Sequence, residues 1–196
     1  MLHKQRVILG VVAIAILFAG AWFYRRSNQI KATRAESAYF QARQAMASGN
    51  AALALSDLSN VATRYEGTAG AAQASLAMAQ ILYDQDKYRE GLAGLEKAAR
   101  SRPGELAPSI HVMAAVGHEG LRQFDQAAAE YLRAAELTRF PNDAASFKAS
   151  AARAFMAGGK PDAAREIWGE LAAEPEGSMV SEARVRLGEL TAKPAS

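Results

Sequence analysis

Apolar positions fall into two regimes along this chain. Residues 7–24 read VILGVVAIAILFAGAWFY, an unbroken run without a charge. Its apolar side chains would lie all round a helix rather than on one stripe, which predicts a transmembrane helix rather than a buried core helix. At about 1.5 Å per residue the run spans roughly 27 Å, just short of a hydrocarbon core of about 30 Å. From about residue 35 the pattern becomes periodic, with apolar residues on one face and polar residues on the other, as amphipathic helices require. No Val/Ile/Thr run alternates as a strand should. Breakers at 66–67, 103–104, 141–142 and 175–177 divide the periodic part into units. Gly49-Asn50 and Gly158-Gly159 mark turns inside units.

The units share one frame. Small residues stand in the first helix of each at Ala42, Ala79, Ala115 and Ala152, with spacings of 37, 36 and 37. Small residues of the second helix fall at Ala54, Gly91, Ala127 and Ala164 with the same spacings, and large residues follow at Leu58, Leu95, Tyr131 and Trp168. A small residue at each crossing lets two backbones approach, and a larger one beside it fills the gap. One helix pair cannot bury its apolar face alone, so pairs must stack.

The clearest unit, SLAMAQILYDQDKYREGLAGLEKAARSRP at 75–103, resembles the tetratricopeptide repeat. Ala79 matches the small residue of its first helix, Tyr88 the aromatic that opens the second, Gly91 and Ala98 the crossing positions, and Pro103 the close. The opener is Phe124 in the third unit, but Ala51 and Pro161 in the outer two. The apolar run and the resemblance together imply an all-α fold: an N-terminal transmembrane helix from the run, then a tetratricopeptide-like right-handed superhelix of antiparallel helix pairs with a concave side. The expected organisation is a short tail at 1–6, the transmembrane helix at 7–24, a basic juxtamembrane linker at 25–34, a repeat domain of about four helix pairs plus a capping helix at 35–192, and a tail at 193–196. The capping helix would carry Glu182, Arg186 and Glu189 on its outer face.

Charge sharpens this division. The net charge is +3 and the pI about 9.3. Six of the 23 Lys and Arg lie in residues 1–34 (Lys4, Arg6, Arg25, Arg26, Lys31, Arg34), which leaves 17 against 20 acids thereafter. The basic excess therefore flanks the apolar run, and the repeat domain has no phosphate-neutralising face, which argues against nucleic acid as a partner. Lys4 and Arg6 before the run and Trp22, Tyr24, Arg25 and Arg26 at its end suit a membrane junction. Ala19-Gly20-Ala21 also fits a signal-peptide cleavage site, and a cleaved leader is the alternative to an anchor. Counting Lys and Arg, the positive-inside tendency favours a cytoplasmic domain. With 0 cysteines, disulfides, thiolate catalysis and Cys-based zinc sites are excluded.

Catalytic chemistry is not evident. His111 and His118 share a helix face but lie about 10.5 Å apart along it, too far for one metal. Gly158-Gly159-Lys160-Pro161 lacks the upstream Gly and the Ser/Thr of a phosphate loop, and a repeat turn explains it. The chain is expected to be no enzyme, with no catalytic or metal residues, no cofactor and no small-molecule substrate. Repeats of this kind bind proteins or peptides on the face lined by the first helices. Here that face comprises Tyr39, Arg43, Met46, Gln73, Leu76, Gln80, Tyr83, Val112, Glu119, Arg153 and Met156.

The whole arrangement resembles the ancillary SecYEG translocon subunit family (YfgM-like). The likeness is carried by the apolar segment with its aromatic and basic junction, ATRAESAYFQARQAMASGN at 32–50, SLAMAQILYDQDKYREGLAGLEKA at 75–98 and AARAFMAGGKPDAAREIWGEL at 151–171. Members usually carry a longer acidic tail before the membrane helix, where residues 1–6 stand here. The resemblance implies a single-pass protein of the bacterial inner membrane with a periplasmic repeat domain. Its expected role is that of an interaction subunit accessory to the protein-export translocon, with translocon subunits, exported chains or periplasmic chaperones as partners. The alternative is a structural or assembly subunit of another inner-membrane complex.

Overall fold

In a computed structural model of the chain, residues 2–101 and 103–192 are described, with backbone alone for 2–15. Among the described residues there are nine α-helices, one 3-10 turn and no strand: α1 (Leu2–Ala47), α2 (Ala51–Arg64), α3 (Ala69–Tyr83), α4 (Tyr88–Arg100), α5 (Ala107–Gly120), α6 (Phe124–Leu137), α7 (Pro141–Ala157), α8 (Pro161–Ala173) and α9 (Val180–Thr191). Each helix packs on the next, and α1 also meets α3, as α3 meets α5. Four antiparallel pairs, α1/α2 to α7/α8, thus stack in chain order, and α9 packs on α8.

The core follows the repeat frame. Ala42, Ala79, Ala115 and Ala152 are buried, and so are Ala54, Gly91, Ala127 and Ala164. Leu58, Leu95 and Trp168 are fully buried beside them, with Tyr131 nearly so. Alanine lets helix axes close up, while each large residue fills a pocket between pairs; truncating one to Ala should cost about 2–5 kcal/mol. The core forms three clusters, around Leu58 and Ile81, around Leu95 and Ile110, and around Tyr131 and Trp168.

Local chemistry sets the helix ends. Asn50 accepts from Leu53 N at 3.0 Å and Thr68 from Ala71 N at 3.2 Å, capping α2 and α3. Pro141 and Pro161 open α7 and α8, where a missing N–H costs nothing. The turn inside each pair holds one left-handed residue, at Gly49, Asp86, Arg122 and Gly159, again spaced 37, 36 and 37. In the last three turns the next amide closes back onto the preceding helix: Lys87 N to Leu82 O at 2.8 Å, Gln123 N to His118 O at 2.8 Å and Lys160 N to Phe155 O at 2.9 Å. The aromatic openers then clamp neighbouring repeats. A Cβ on Gly120 would lie 2.3 Å from the Tyr88 ring, and one on Gly158 3.0 Å from Phe124 Cβ.

Residues 25–34, read as a linker, are helical: α1 runs through them without a break into the first repeat. Residues 16–30 are exposed throughout, and contact with the domain begins at Lys31, whose ammonium donates to Glu66 O at 2.6 Å. Ala35 then meets Gly70 of α3. Among the residues searched, no helix is long and apolar enough to cross a membrane. The expected transmembrane helix lies partly, at 7–15, among side chains outside the described residues, as do the side chains of the 1–6 tail and the whole 193–196 tail.

Candidate functional site, the face of the first helices

The residues expected on the binding face separate by burial. Arg43, Gln80, Arg153 and Met156 are exposed. Tyr39, Met46, Gln73, Leu76, Val112 and Glu119 are half-buried, and the apolar ones among them pack against the three core clusters. Tyr83 requires correction. It is 7% exposed, lies over Gly91 and Gly117, and its hydroxyl donates to Met113 O at 3.2 Å. Its neighbours on α4 and α5 are glycines, so the ring sinks into the space they leave and is core, not surface.

Val116, exposed on α5, was missed. The frame could have found it, since 43, 80, 116 and 153 are equivalent positions. Phe40 of α1, 65% exposed next to Tyr39, was missed as well. It occupies a position filled by Ala77, Met113 and Ser150 in the other units, so no repeated pattern pointed to it.

Toward the C-terminal end the face becomes ionic. Arg153 of α7 grips Glu182 of α9 with two bonds, Nε at 3.0 Å and Nη2 at 2.9 Å. Arg186 donates to Glu189 at 2.9 Å and lies 3.8 Å from Glu182. Glu182 was expected on the outer face of the cap; instead it turns toward α7, where the fork of Arg153 matches its carboxylate. The hydrogen bonds from Arg153 hold its carboxyl below the ordinary value of 4.5. On α5, burial raises the Glu119 carboxyl, opposed by a bond from the Tyr131 hydroxyl at 3.3 Å and by Arg153. Burial and Glu119 together push Tyr131 up to about 12.

Between α7 and α9 lies a cleft of about 300 Å³, lined by Arg153, Met156, Trp168, Arg186, Glu189 and Leu190. The other singled-out residues are locally engaged. His111 Nδ1 lies 2.6 Å from Glu130 and His118 Nδ1 2.8 Å from Gln123. Lys160 of the Gly-Gly-Lys-Pro turn pairs with Asp125 at 2.6 Å, tying two repeats together. Among the described residues no cluster of His, Asp or Glu could hold a metal ion. Of the junction residues, Trp22, Tyr24, Arg25 and Arg26 are exposed, and the side chains of Lys4 and Arg6 lie outside the described residues.

Stacked helix pairs in one repeating frame, with a face of first helices and a terminal cap, define an α-helical repeat protein. The chain belongs to the tetratricopeptide repeat-like domain family, whose profile matches residues 3–192. Among solved structures it is similar to kinesin light chain nearly identical TPR-like repeats from Podosopora anserina, with a TM-score of 0.60 and 14% identity over 81% of this chain and 86% of that one. A single-substitution variant of that same protein matches with a TM-score of 0.60 and 15% identity, over 81% and 85%. At such identities the likeness concerns the fold. A search of curated protein sequences finds no match. The tetratricopeptide-like domain suggests a role in protein–protein interaction.

Proposed function

We propose that this protein is a non-enzymatic interaction subunit anchored in the bacterial inner membrane by the N-terminal half of α1, with a protein partner held on the face of its first helices. One observation carries the anchor. Ile16, Leu17, Phe18, Trp22, Phe23 and Tyr24 are 65–74% exposed on consecutive turns of α1, whose residues 16–30 are all exposed. Apolar side chains pointing outward on every side need an apolar solvent, and Arg25 and Arg26 follow where headgroups would begin. The partner role draws on the repeat family and on the mixed lining of Tyr39, Arg43, Leu76, Gln80, Val112, Val116 and Met156.

The finer assignment, an accessory of the protein-export translocon with a periplasmic domain, rests on the resemblance to the ancillary translocon subunits. A photo-crosslinker at Arg43 or Met156, both exposed, should capture translocon subunits, exported chains or their chaperones from intact cells. Consistent capture of a different inner-membrane complex would replace that assignment and leave the anchored interaction role standing. The chain is expected to stay with membranes through alkaline extraction and to be digested by protease added to spheroplasts. Release by alkali, or a mature chain starting at Trp22, would sink the anchor; full protection in spheroplasts would sink the periplasmic placement.

A further inference from the structure

The third and fourth repeats differ at one polar position. In the third, the large core residue is Tyr131, and its hydroxyl donates to Glu119 of α5. In the fourth, the equivalent residue is Trp168, and the residue 37 positions after Glu119 is Met156, which offers no comparable acceptor. Trp168 is fully buried, and its Nε1–H has no hydrogen-bond acceptor among the described residues. This indole lines the cleft between α7 and α9. The cations of the cleft are already matched, Arg153 by Glu182 and Arg186 by Glu189. What is left unsatisfied is therefore a single donor, in a cleft where Met156 and Leu190 stand beside the paired side chains of Arg153, Arg186 and Glu189 and the Arg153 guanidinium lies 6.0 Å from the indole centroid.

We infer that the α7/α9 cleft is a subsite for an uncharged peptide unit: one apolar side chain seated against Met156 and Leu190, with its main-chain carbonyl accepting from Trp168 Nε1–H. This rests on the interaction role above and specifies its ligand chemistry. The volume of about 300 Å³ is at the lower bound for ligand pockets and suits one residue of an extended chain rather than a larger molecule. Because the charges are paired, an acidic side chain would first have to displace Glu182 from Arg153. The N–H is shielded from solvent, and Met156, unbranched and 43% exposed, is the side chain best able to give way.

The test is a titration of the full-length ¹⁵N-labelled chain in mild detergent with N-acetyl-leucine N-methylamide. The Trp168 indole resonance, assigned by Trp22→Phe, should move downfield and saturate. Met156→Glu restores the acceptor of the third repeat. It should shift that resonance without ligand and weaken the amide at least fivefold, with helicity by circular dichroism unchanged. Trp168→Phe should weaken it comparably, read on Met156 methyl signals. An indole signal that does not move saturably up to about 50 mM amide overturns the inference, as does equal binding to Met156→Glu. Preference for N-acetyl-leucine carboxylate that disappears in Arg153→Gln would assign the cleft to acidic ligands instead. A failed membrane or crosslinking assay leaves this titration untouched, so the two readings fail separately.

Discussion

Tyr83 sits where α3, α4 and α5 meet, and two glycines make room for it. A Cβ on Gly91 would fall 2.4 Å from its ring and one on Gly117 2.2 Å from its hydroxyl oxygen. Glycine to alanine inside a helix ordinarily gains about 0.5–1 kcal/mol. Here the sign should reverse: Gly91→Ala and Gly117→Ala are each expected to lose about 1–3 kcal/mol by overpacking, measured by urea denaturation. In a Tyr83→Leu background the loss should largely vanish for Gly91, whose three nearest atoms all belong to Tyr83, and shrink for Gly117, where Leu92 Cδ2 remains at 2.9 Å; strictly additive losses would refute the contact. Gly159 presents the opposite case. No heavy atom lies within 4 Å of a Cβ there, but its φ is +73°. Gly159→Ala should therefore cost about 1–2 kcal/mol through the backbone alone. Asp86 and Arg122 meet that same cost in the equivalent turns, at φ of 59° and 58°.

Between elements, α1 approaches α3 closely at Gly70. A Cβ on Gly70 would fall 2.7 Å from the carbonyl carbon of Ala35, and a backbone atom cannot swing aside. Gly70→Ala should push the two helices apart and lower amide protection in residues 31–47 of α1 more than in α5 to α9, as hydrogen exchange would report. At the other end, α9 is tied by Arg153 to Glu182. The folded-state pKa of Glu182 is depressed, so its contribution is present above the ordinary 4.5 and is lost as pH falls through the lower folded value. Glu119 runs the other way: its raised pKa favours the folded state in acid, and that contribution is lost as pH rises through the folded value. Amide protection in α9 should thus fall on acidification, whereas Glu182→Gln should start low at about pH 6, above the carboxylate range, and lack that step. The helices and their small crossing residues were legible because period and residue size report burial directly. The Arg153–Glu182 tie was not, since a charged residue on an amphipathic helix looks alike whether it meets water or a partner. Tyr83 was misplaced for a related reason. Its position faces outward in the frame, and only the coincidence of Gly91 and Gly117, on two other helices, draws it in.

At the scale of the molecule, α1 belongs to two systems at once. Residues 16–30 are exposed, whereas Ala35 and Ala42 are buried and Tyr39 and Met46 pack on the cluster of Leu58 and Val61. Stability in a stacked-repeat protein is close to a sum of repeats and their interfaces, so the two halves of α1 should be separable by truncation. A chain starting at residue 27 keeps the part of α1 that packs on the domain, from Lys31 onward. It is expected to dissolve without detergent and to unfold at the denaturant midpoint of the full chain. A chain starting at residue 49 bares Leu58 and Val61, at about 1.5–3 kcal/mol for each side chain returned to water. That loss should stay in the first repeats, because Trp168 belongs to another cluster, in the last helix pair. Far-UV circular dichroism should show an early transition in the shorter chain, while the fluorescence of Trp168, its only tryptophan, keeps its midpoint. A single lowered transition seen by both probes would mean that the repeats unfold as one block. The N-terminal half of α1 would then be joined to a rigid body rather than to the first link of a chain of repeats.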